Sequence, residues 1–220
     1  MAVPEFLVWQ LADSAFPTGG FAHSWGLEAA WQSGEVRDLR ELRAFVDAAL
    51  GQAGRGVLPL LNAAHSQPDR LAELDDIADV FLTNTVSNRA SRVQGRAFAA
   101  TCARVWPHDA MRRLDDQARA IRGHAGPVMG AAMRTLQVSA DQARQLCLYG
   151  TARGVLTAAV RLGITGSYDA QRLQHEAVPA MLAVAERSAG LDERHLAQTA
   201  PIADVLQAAH DRLYSRLFQS

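Results

Sequence analysis

Three residues near the start of the chain have the side-chain types of a nucleophilic triad: Asp13, Ser14 and His23. A triad needs the histidine to accept the serine proton and the acid to orient the histidine. The spacing fixes no such geometry. The chain also has no phosphate loop, no Gly-x-Ser-x-Gly elbow and no His-Glu-x-x-His motif. We therefore predict no catalytic residue and expect a protein that is not an enzyme.

Metal-binding residue types are present but scattered. No two histidines are three or four residues apart, and Cys102 and Cys147 have no neighbouring cysteine. This spacing predicts no structural metal site and no cofactor, although a transient metal path assembled in three dimensions stays open. Two cysteines are also too few for a disulfide framework, which favours the cytoplasm. The seven histidines are at positions 23, 65, 108, 124, 175, 195 and 210.

The charge and hydropathy of the chain predict that it binds neither nucleic acid nor membranes. The formal net charge is −1, so no global field attracts polyanions. No apolar run approaches the ~18 residues of a membrane span. Locally, residues 69–82 carry five acids and one base, whereas residues 86–122 carry eight arginines and three acids. We interpret these two segments as solvated helix faces that could face each other.

Helical periodicity extends over nearly the whole chain, and no alternating strand pattern is present. Because no linker rich in glycine, serine or proline interrupts it, residues 1–220 are expected to form a single domain. The predicted fold is all-α, a multi-helix bundle of about nine or ten helices. Asp38 is expected to cap one of these helices, and Ser139 with Gln142 to form a capping box before another.

Three further segments carry specific helix predictions. The second helix is expected from about Ala22 to Ser33, with Gly34 at its end. Another is expected to be capped by Asp169 and to continue through Val184 with a kink at Pro179. Within the helix over 139–162, Gly150, Gly154 and Ala158 lie four apart, a stripe that predicts close helix packing or a dimer contact.

The last helix is expected to begin near Pro201 and to reach the C-terminus. Its predicted apolar stripe would dock on the bundle, and the aromatic and arginine residues beside that stripe are typical of a partner-binding hot spot. The stripe consists of Ile202, Leu206, Ala209, Leu213 and Leu217.

The stretch from Asp13 to Trp31 combines a proline, two adjacent glycines and several aromatic residues. The order of these residues resembles the N-terminal signature of the urease accessory protein family UreF, which reads Ser-x-x-Pro-x-Gly, then Phe, then Ser-x-Gly-Leu-Glu. The residues that carry this resemblance, and which we expect to bind a partner, are Ser14, Pro17, Gly19, Gly20, Phe21, Ser24, Gly26, Leu27 and Glu28.

The end of the chain resembles the C-terminal signature of the same family. That signature reads His-[Glu/Asp]-Arg-Leu-x-x-Arg-Leu-Phe. The segments His124–Gly130 and Tyr149–Gly163 resemble the middle of the family pattern, so the likeness spans nearly the whole chain. The C-terminal residues expected to bind a partner are His210, Arg212, Leu213, Tyr214, Arg216, Leu217 and Phe218.

The resemblance implies a non-enzymatic chaperone role in urease maturation. Members of the family are all-helical homodimers that bind the accessory protein UreD (also called UreH) and recruit the GTPase UreG, so that nickel reaches apo-urease. The two terminal motifs would then form the surface for UreD. Two alternatives stay open: a regulator of UreG GTP hydrolysis acting through Arg89, Arg92 or Arg153, and a helical enzyme with an unknown substrate.

Overall fold

The computed structural model describes residues 5–18 and 23–219. Within these ranges the chain forms twelve α-helices and short 3-10 turns, and it contains no β-strand. The helices are α1 (Glu5–Ala12), α2 (Leu27–Gln32), α3 (Leu39–Arg55), α4 (Val57–Ser66), α5 (Leu71–Phe81), α6 (Thr85–Val105), α7 (Asp109–Ala120), α8 (Ala125–Thr135), α9 (Ala140–Arg161), α10 (Ser167–Glu176), α11 (Val178–Ser188) and α12 (Pro201–Ala208).

This architecture confirms the all-α class, with slightly more helices than the nine or ten predicted. Within the described ranges, every helix is too short or too polar to cross a membrane.

The central element is α9, which contacts α1, α2, α3, α4, α8, α10 and α11. Its 22 residues are buried on several faces, including Leu148, Val155 and Ala159, each with no exposed surface. A helix that is apolar around most of its circumference must lie inside the bundle. The capping box of Ser139 and Gln142 fixes where this helix begins, as the sequence predicts.

Helices α4 and α8 approach each other very closely at Gly130. A Cβ on Gly130 of α8 would lie 2.3 Å from the backbone oxygen of Leu61 on α4. Since no side chain fits in that space, only glycine permits this approach. The resulting contact sets α4 and α8 side by side beneath α5 and α6.

The acidic helix α5 faces the arginine-rich part of the chain through the loop that precedes α8. Asp75 of α5 is fully buried, and its carboxylate accepts hydrogen bonds from the backbone N–H groups of Arg122, Gly123 and His124 at 2.8, 3.2 and 2.6 Å. The Arg122 side chain also pairs with Asp76 at 2.5 Å. The two charged segments therefore face each other at this loop, but the expectation of a solvated face is wrong for Asp75, which is buried.

Other predicted helix boundaries also agree with the structure. The Asp38 side chain accepts a hydrogen bond from the N–H of Glu41 at 2.8 Å, and it caps α3. Gly34 follows α2 with a φ of 79°, and Gly163 follows α9 with a φ of 73°. Both are left-handed positions at which glycine ends a helix at low cost.

Two predicted helices differ from the structure. The second helix starts at Leu27, because Trp25 and Gly26 have φ values of 59° and 83° that a right-handed helix cannot contain. The expected start, Ala22, lies outside the described residues.

The single kinked helix expected from Asp169 through Val184 is two helices, α10 and α11, with Ala177 between them. Pro179 has no N–H to donate to the preceding turn, so it lies in the first turn of α11 instead of kinking a continuous helix. The residue that precedes α10 is Gly166, and Asp169 lies in its first turn.

The prediction of a final helix that reaches the C-terminus is also wrong. Helix α12 ends at Ala208, a 3-10 turn covers Ala209–Arg212, and the chain then runs without regular structure to residue 219. The expected apolar stripe does not form, since Ile202 and Leu217 are 73% and 52% exposed. Further along, the backbone N–H groups of Leu217 and Phe218 donate to the buried carboxylate of Glu28.

Candidate functional site

The first half of the N-terminal motif lies at the surface beside α6. Phe16 is buried between Phe98 and Trp106, with ring centroids 6.2 and 5.8 Å away. Next to it, the backbone oxygen of Pro17 accepts a hydrogen bond from the Thr101 hydroxyl at 2.8 Å. The Ser14 and Pro17 side chains remain exposed. The next three motif residues, Gly19, Gly20 and Phe21, lie outside the described residues.

The second half of the N-terminal motif is buried. Ser24 and Leu27 have no exposed surface, and Glu28 is 2% exposed. Gly26 adopts a φ of 83°, and a Cβ there would come within 3.0 Å of Gln207 on α12. Glycine is therefore required at this position both for its backbone conformation and for the close approach of α12.

The buried Glu28 carboxylate accepts three hydrogen bonds from the C-terminal part of the chain. His210 Nε2 donates at 3.0 Å, the Leu217 N–H at 2.6 Å and the Phe218 N–H at 3.2 Å. His210 is itself fully buried. A buried carboxylate is stable only when such donors replace its lost water. We call this arrangement of Glu28, His210 and the two backbone groups the Glu28 clamp.

Further contacts fasten the C-terminal segment, residues 209–219, on both sides of the clamp. Arg89 of α6 holds Asp211 through two hydrogen bonds of 2.8 and 3.1 Å. Gln32 of α2 donates to the backbone oxygen of Ser215 at 2.9 Å. The Phe218 ring is buried, with the Arg161 guanidinium 4.2 Å from its centroid. The segment is thus attached to α2, α6 and α9.

Between these attachments, four side chains project into solvent. Tyr214 is fully exposed and Leu217 is 52% exposed. Arg212 and Arg216 are also exposed, and Arg216 lies 3.3 Å from Asp211. We call these four residues the exposed tip. Of the predicted C-terminal motif, His210 and Phe218 therefore anchor the segment, Leu213 is half-buried, and the exposed tip faces outward.

The electrostatic surroundings of the clamp keep a neighbouring histidine uncharged. His23 is 4% exposed, and burial lowers its pKa to about 4, with Arg89 and His210 contributing further. Nearby, the hydrogen bonds from Arg89 hold the pKa of Asp211 below its usual value. At neutral pH the region therefore contains a neutral His23 beside the ion pair of Arg89 and Asp211.

The small-residue stripe of α9 lies close to the same region. A Cβ on Gly154 would lie 2.8 Å from the Trp25 indole nitrogen, whereas a Cβ on Gly150 would meet nothing within 4 Å. Ala158 is buried. Gly154 thus gives close packing of α9 against the residue before Gly26, and Gly150 is open in the isolated chain.

Two of the three arginines suggested for a GTPase regulator already have intramolecular partners. Arg89 pairs with Asp211. Arg153 donates to the backbone oxygen of Ala12 at the end of α1 and lies over the Tyr149 ring. Arg92 is half-buried on α6. Across the described ranges, no cluster of three or more histidine, cysteine or acidic side chains is arranged to hold a metal ion.

Glu28 and His210 belong to separate sequence motifs, and neither motif predicts that these two residues touch. One signal was available in the sequence. Glu28 follows Leu27 and precedes Ala29 and Ala30, and an acid within such an apolar run needs a buried partner. The pattern does not identify that partner, because the two residues are 182 positions apart.

Comparison with known proteins relates this chain to one family. The profile of the family described as UreF matches residues 36–178. The chain is 35% identical over 218 residues to "Urease accessory protein F" of Oryza sativa subsp. indica, an alignment that covers 96% of this chain and 83% of the relative.

A protein of the same name from Arabidopsis thaliana is also 35% identical, with 96% and 91% of the two chains covered. "Urease accessory protein UreF" of Ruegeria pomeroyi is 29% identical, with 94% and 92% covered. On this evidence, the chain belongs to the UreF family of urease accessory proteins.

Proposed function

We propose that this chain is a non-enzymatic scaffold of urease maturation in the cytoplasm. It binds UreD (UreH) and, as a homodimer, recruits the GTPase UreG so that nickel, the cargo, reaches apo-urease. The names of the relatives support the link to urease. The resemblance of the two terminal motifs to the family signatures supports the choice of partners.

The observation that carries this proposal is the exposed tip. An aromatic ring, a leucine and two arginines project from a segment that is attached at both ends to buried groups. Tyrosine and arginine are enriched among the residues that dominate binding energy. Because the Glu28 clamp orders the segment before any partner arrives, less conformational entropy is lost on binding.

The two halves of the N-terminal motif take different parts in this proposal. Ser24, Leu27 and Glu28 are buried, so they act by holding the C-terminal segment in place. Ser14 and Pro17 are exposed and can touch a partner directly. Gly19, Gly20 and Phe21 remain proposed partner contacts of the same surface.

The first test is assembly. The chain is expressed with UreD and UreG from the same source, and the complex is analysed by size exclusion with light scattering before apo-urease and nickel are added. We expect a stable complex that contains two copies of this chain and that is required for urease activation. If neither partner bound, the scaffold proposal would be wrong.

The second test addresses the exposed tip. Tyr214→Ala and Arg216→Ala are expected to weaken UreD binding by at least tenfold while leaving the helical content unchanged, because both side chains are exposed. Tyr168→Ala is the matched control, since Tyr168 is 93% exposed on α10. Equal UreD binding by the tip variants and the control would exclude the tip as the contact.

The rival role as a regulator of UreG has weaker support. An arginine finger must be free to reach the nucleotide, and Arg89 and Arg153 are engaged within the chain. Measuring the GTPase rate of UreG with and without this protein separates the two roles. A change well under tenfold agrees with the scaffold, and a larger change that Arg92→Ala abolishes would favour the regulator.

A further inference from the structure

A polar groove lies away from both terminal motifs, where α4, the turn from α8 to α9, and the end of α11 meet. Its volume is about 870 Å³. Asn62, His65 and Ser66 line it from α4, and Ala189 lines it beyond α11. Arg134 lines it from the end of α8, Gln137 from the turn, and Arg144 from the start of α9.

Arg144 is the unusual member of this groove. It is only 9% exposed, yet its two terminal nitrogens make long contacts, 3.5 Å to Asn62 Oδ1 and 3.3 Å to Asp141 Oδ1. Its Nε is buried and has no hydrogen-bond partner among the described residues. Charge-assisted hydrogen bonds to arginine are normally about 2.7–2.9 Å long. The charge of Arg144 is therefore buried without full compensation.

The other charged groups around Arg144 do not supply the missing compensation. The Asp141 side chain is 63% exposed, so solvent screens most of its charge. Arg134 adds a second positive charge at the end of α8. His65 Nε2 donates to the backbone oxygen of Val138 at 2.8 Å, so this N–H group is already engaged within the chain. With two arginines and one aspartate, the groove has an excess positive charge.

We propose that this groove binds an oxyanion, with Arg144 as its principal ligand and Arg134 as a second cation at the rim. The planar guanidinium offers two parallel donors that match a carboxylate or a phosphate group. The hydroxyl of Ser66 and the side-chain amide of Gln137 line the same groove and can donate to the remaining oxygens.

Two probes separate the sources of such an anion. Inorganic phosphate represents a phosphate group, and glutarate represents the carboxylate of an acidic side chain. Each is titrated into the full chain at constant ionic strength set with chloride, and the thermal unfolding midpoint is recorded. A ligand that binds only the folded state raises this midpoint, by about 5–10 °C at one hundred times its dissociation constant.

We expect at least one probe to raise the midpoint of the native chain. The rise should disappear in Arg144→Met, which keeps the apolar stem, and persist in the control Arg104→Met, an exposed arginine of α6. Which probe acts identifies the source of the oxyanion. No rise with either probe, or equal rises in Arg144→Met and the native chain, would overturn the proposal.

A second measurement avoids dependence on a substituted protein. In the native chain, the NMR resonance of the Arg144 Nε–H group should shift and saturate as the effective probe is added. An unchanged Arg144 resonance at probe concentrations that raise the unfolding midpoint would also contradict the proposal, since the anion would then bind elsewhere.

Discussion

Two buried carboxylates in this molecule, those of Asp75 and Glu28, both accept hydrogen bonds from a distant segment. The number of residues between acceptor and donors differs greatly between the two. Asp75 accepts three backbone N–H groups from residues 122–124, and Glu28 accepts two backbone N–H groups and one imidazole N–H from residues 210–218. Both are nearly inaccessible to solvent. In each case a carboxylate that has lost its water is stabilised by donors from a segment that lies outside the α-helices.

The difference lies in what else holds each segment. The loop that Asp75 caps leads directly into α8, which packs along α4 and α6 in the core. The segment that Glu28 holds, residues 209–219, contains no α-helix among the described residues. Breaking the Asp75 contacts therefore disturbs the core, whereas breaking the Glu28 clamp releases only the C-terminal segment. The first is a structural contact, and the second can act as an attachment for a binding surface.

The largest expected effect is therefore that of Asp75→Ala. This change leaves three backbone N–H groups buried without an acceptor, which we expect to lower the free energy of unfolding by about 3–5 kcal/mol. Urea denaturation followed by circular dichroism measures it. The control Asp76→Ala removes the neighbouring carboxylate, which is 70% exposed, and should cost about 1 kcal/mol or less. Similar losses in both variants would contradict the assigned role of Asp75.

The second prediction concerns the pH dependence of folding stability that arises from His23, beside the Glu28 clamp. Burial lowers the pKa of His23 to about 4, so between about pH 4 and 6.5 the unfolded chain binds a proton that the folded chain does not. Stability should therefore fall as pH decreases through this window, by about 2–3 kcal/mol from His23, and stay level above it.

His124, near Asp75, also has its pKa lowered by burial and contributes to the same loss. Urea denaturation from pH 4 to 8 separates the two histidines. His23→Gln should reduce the pH slope without abolishing it, because His124 remains. A slope that His23→Gln leaves unchanged would show that the clamp region does not take part in the pH response.

The sequence was sufficient to predict the fold class and those boundaries that depend on local chemistry. Asp38 caps α3 and the Ser139–Gln142 box starts α9 because each needs only neighbours within three or four residues. The start of α2 was not predictable in this way. Its position depends on Gly26, whose left-handed conformation lets α12 approach.

The candidate site also combines features that the local sequence predicts with features that depend on distant contacts. The family resemblance predicts that the terminal motifs bind a partner, and the structure brings these two motifs into contact. No local pattern could show that the C-terminal helix stops at Ala208, since its continuation is prevented by a carboxylate about 190 residues earlier. Helical periodicity predicts a stripe from Ile202 to Leu217, but the hydrogen bonds to Glu28 override it.

The third prediction tests whether the clamp is local. Glu28→Gln keeps one acceptor oxygen and replaces the other with an NH2 group. This group is itself a hydrogen-bond donor, so it cannot accept from the N–H group that faces it. We expect a loss of about 1–3 kcal/mol in the free energy of opening of the C-terminal segment. Hydrogen exchange of the Leu217 and Phe218 amides measures it, with the α9 amides as the internal reference.

The matched control for this change is Glu35→Gln, an exposed glutamate in the turn after α2. It should leave exchange in both regions unchanged. If Glu28→Gln accelerated exchange in α9 as much as in the C-terminal segment, the clamp would be part of the core, and the contrast with Asp75 would be lost.

The smallest expected effect comes from the exposed ion pairs that accompany the two carboxylates. Arg89 pairs with Asp211 beside the clamp, and Arg122 pairs with Asp76 beside Asp75. Exposed pairs contribute about 1 kcal/mol or less because water screens them. Asp211→Asn should therefore leave the urea midpoint nearly unchanged. It should still increase the hydrogen exchange of the Leu217 amide, because Asp211 attaches the C-terminal segment to α6. A change in midpoint without a change in this exchange would mean that Asp211 stabilises the core and does not restrain the exposed tip.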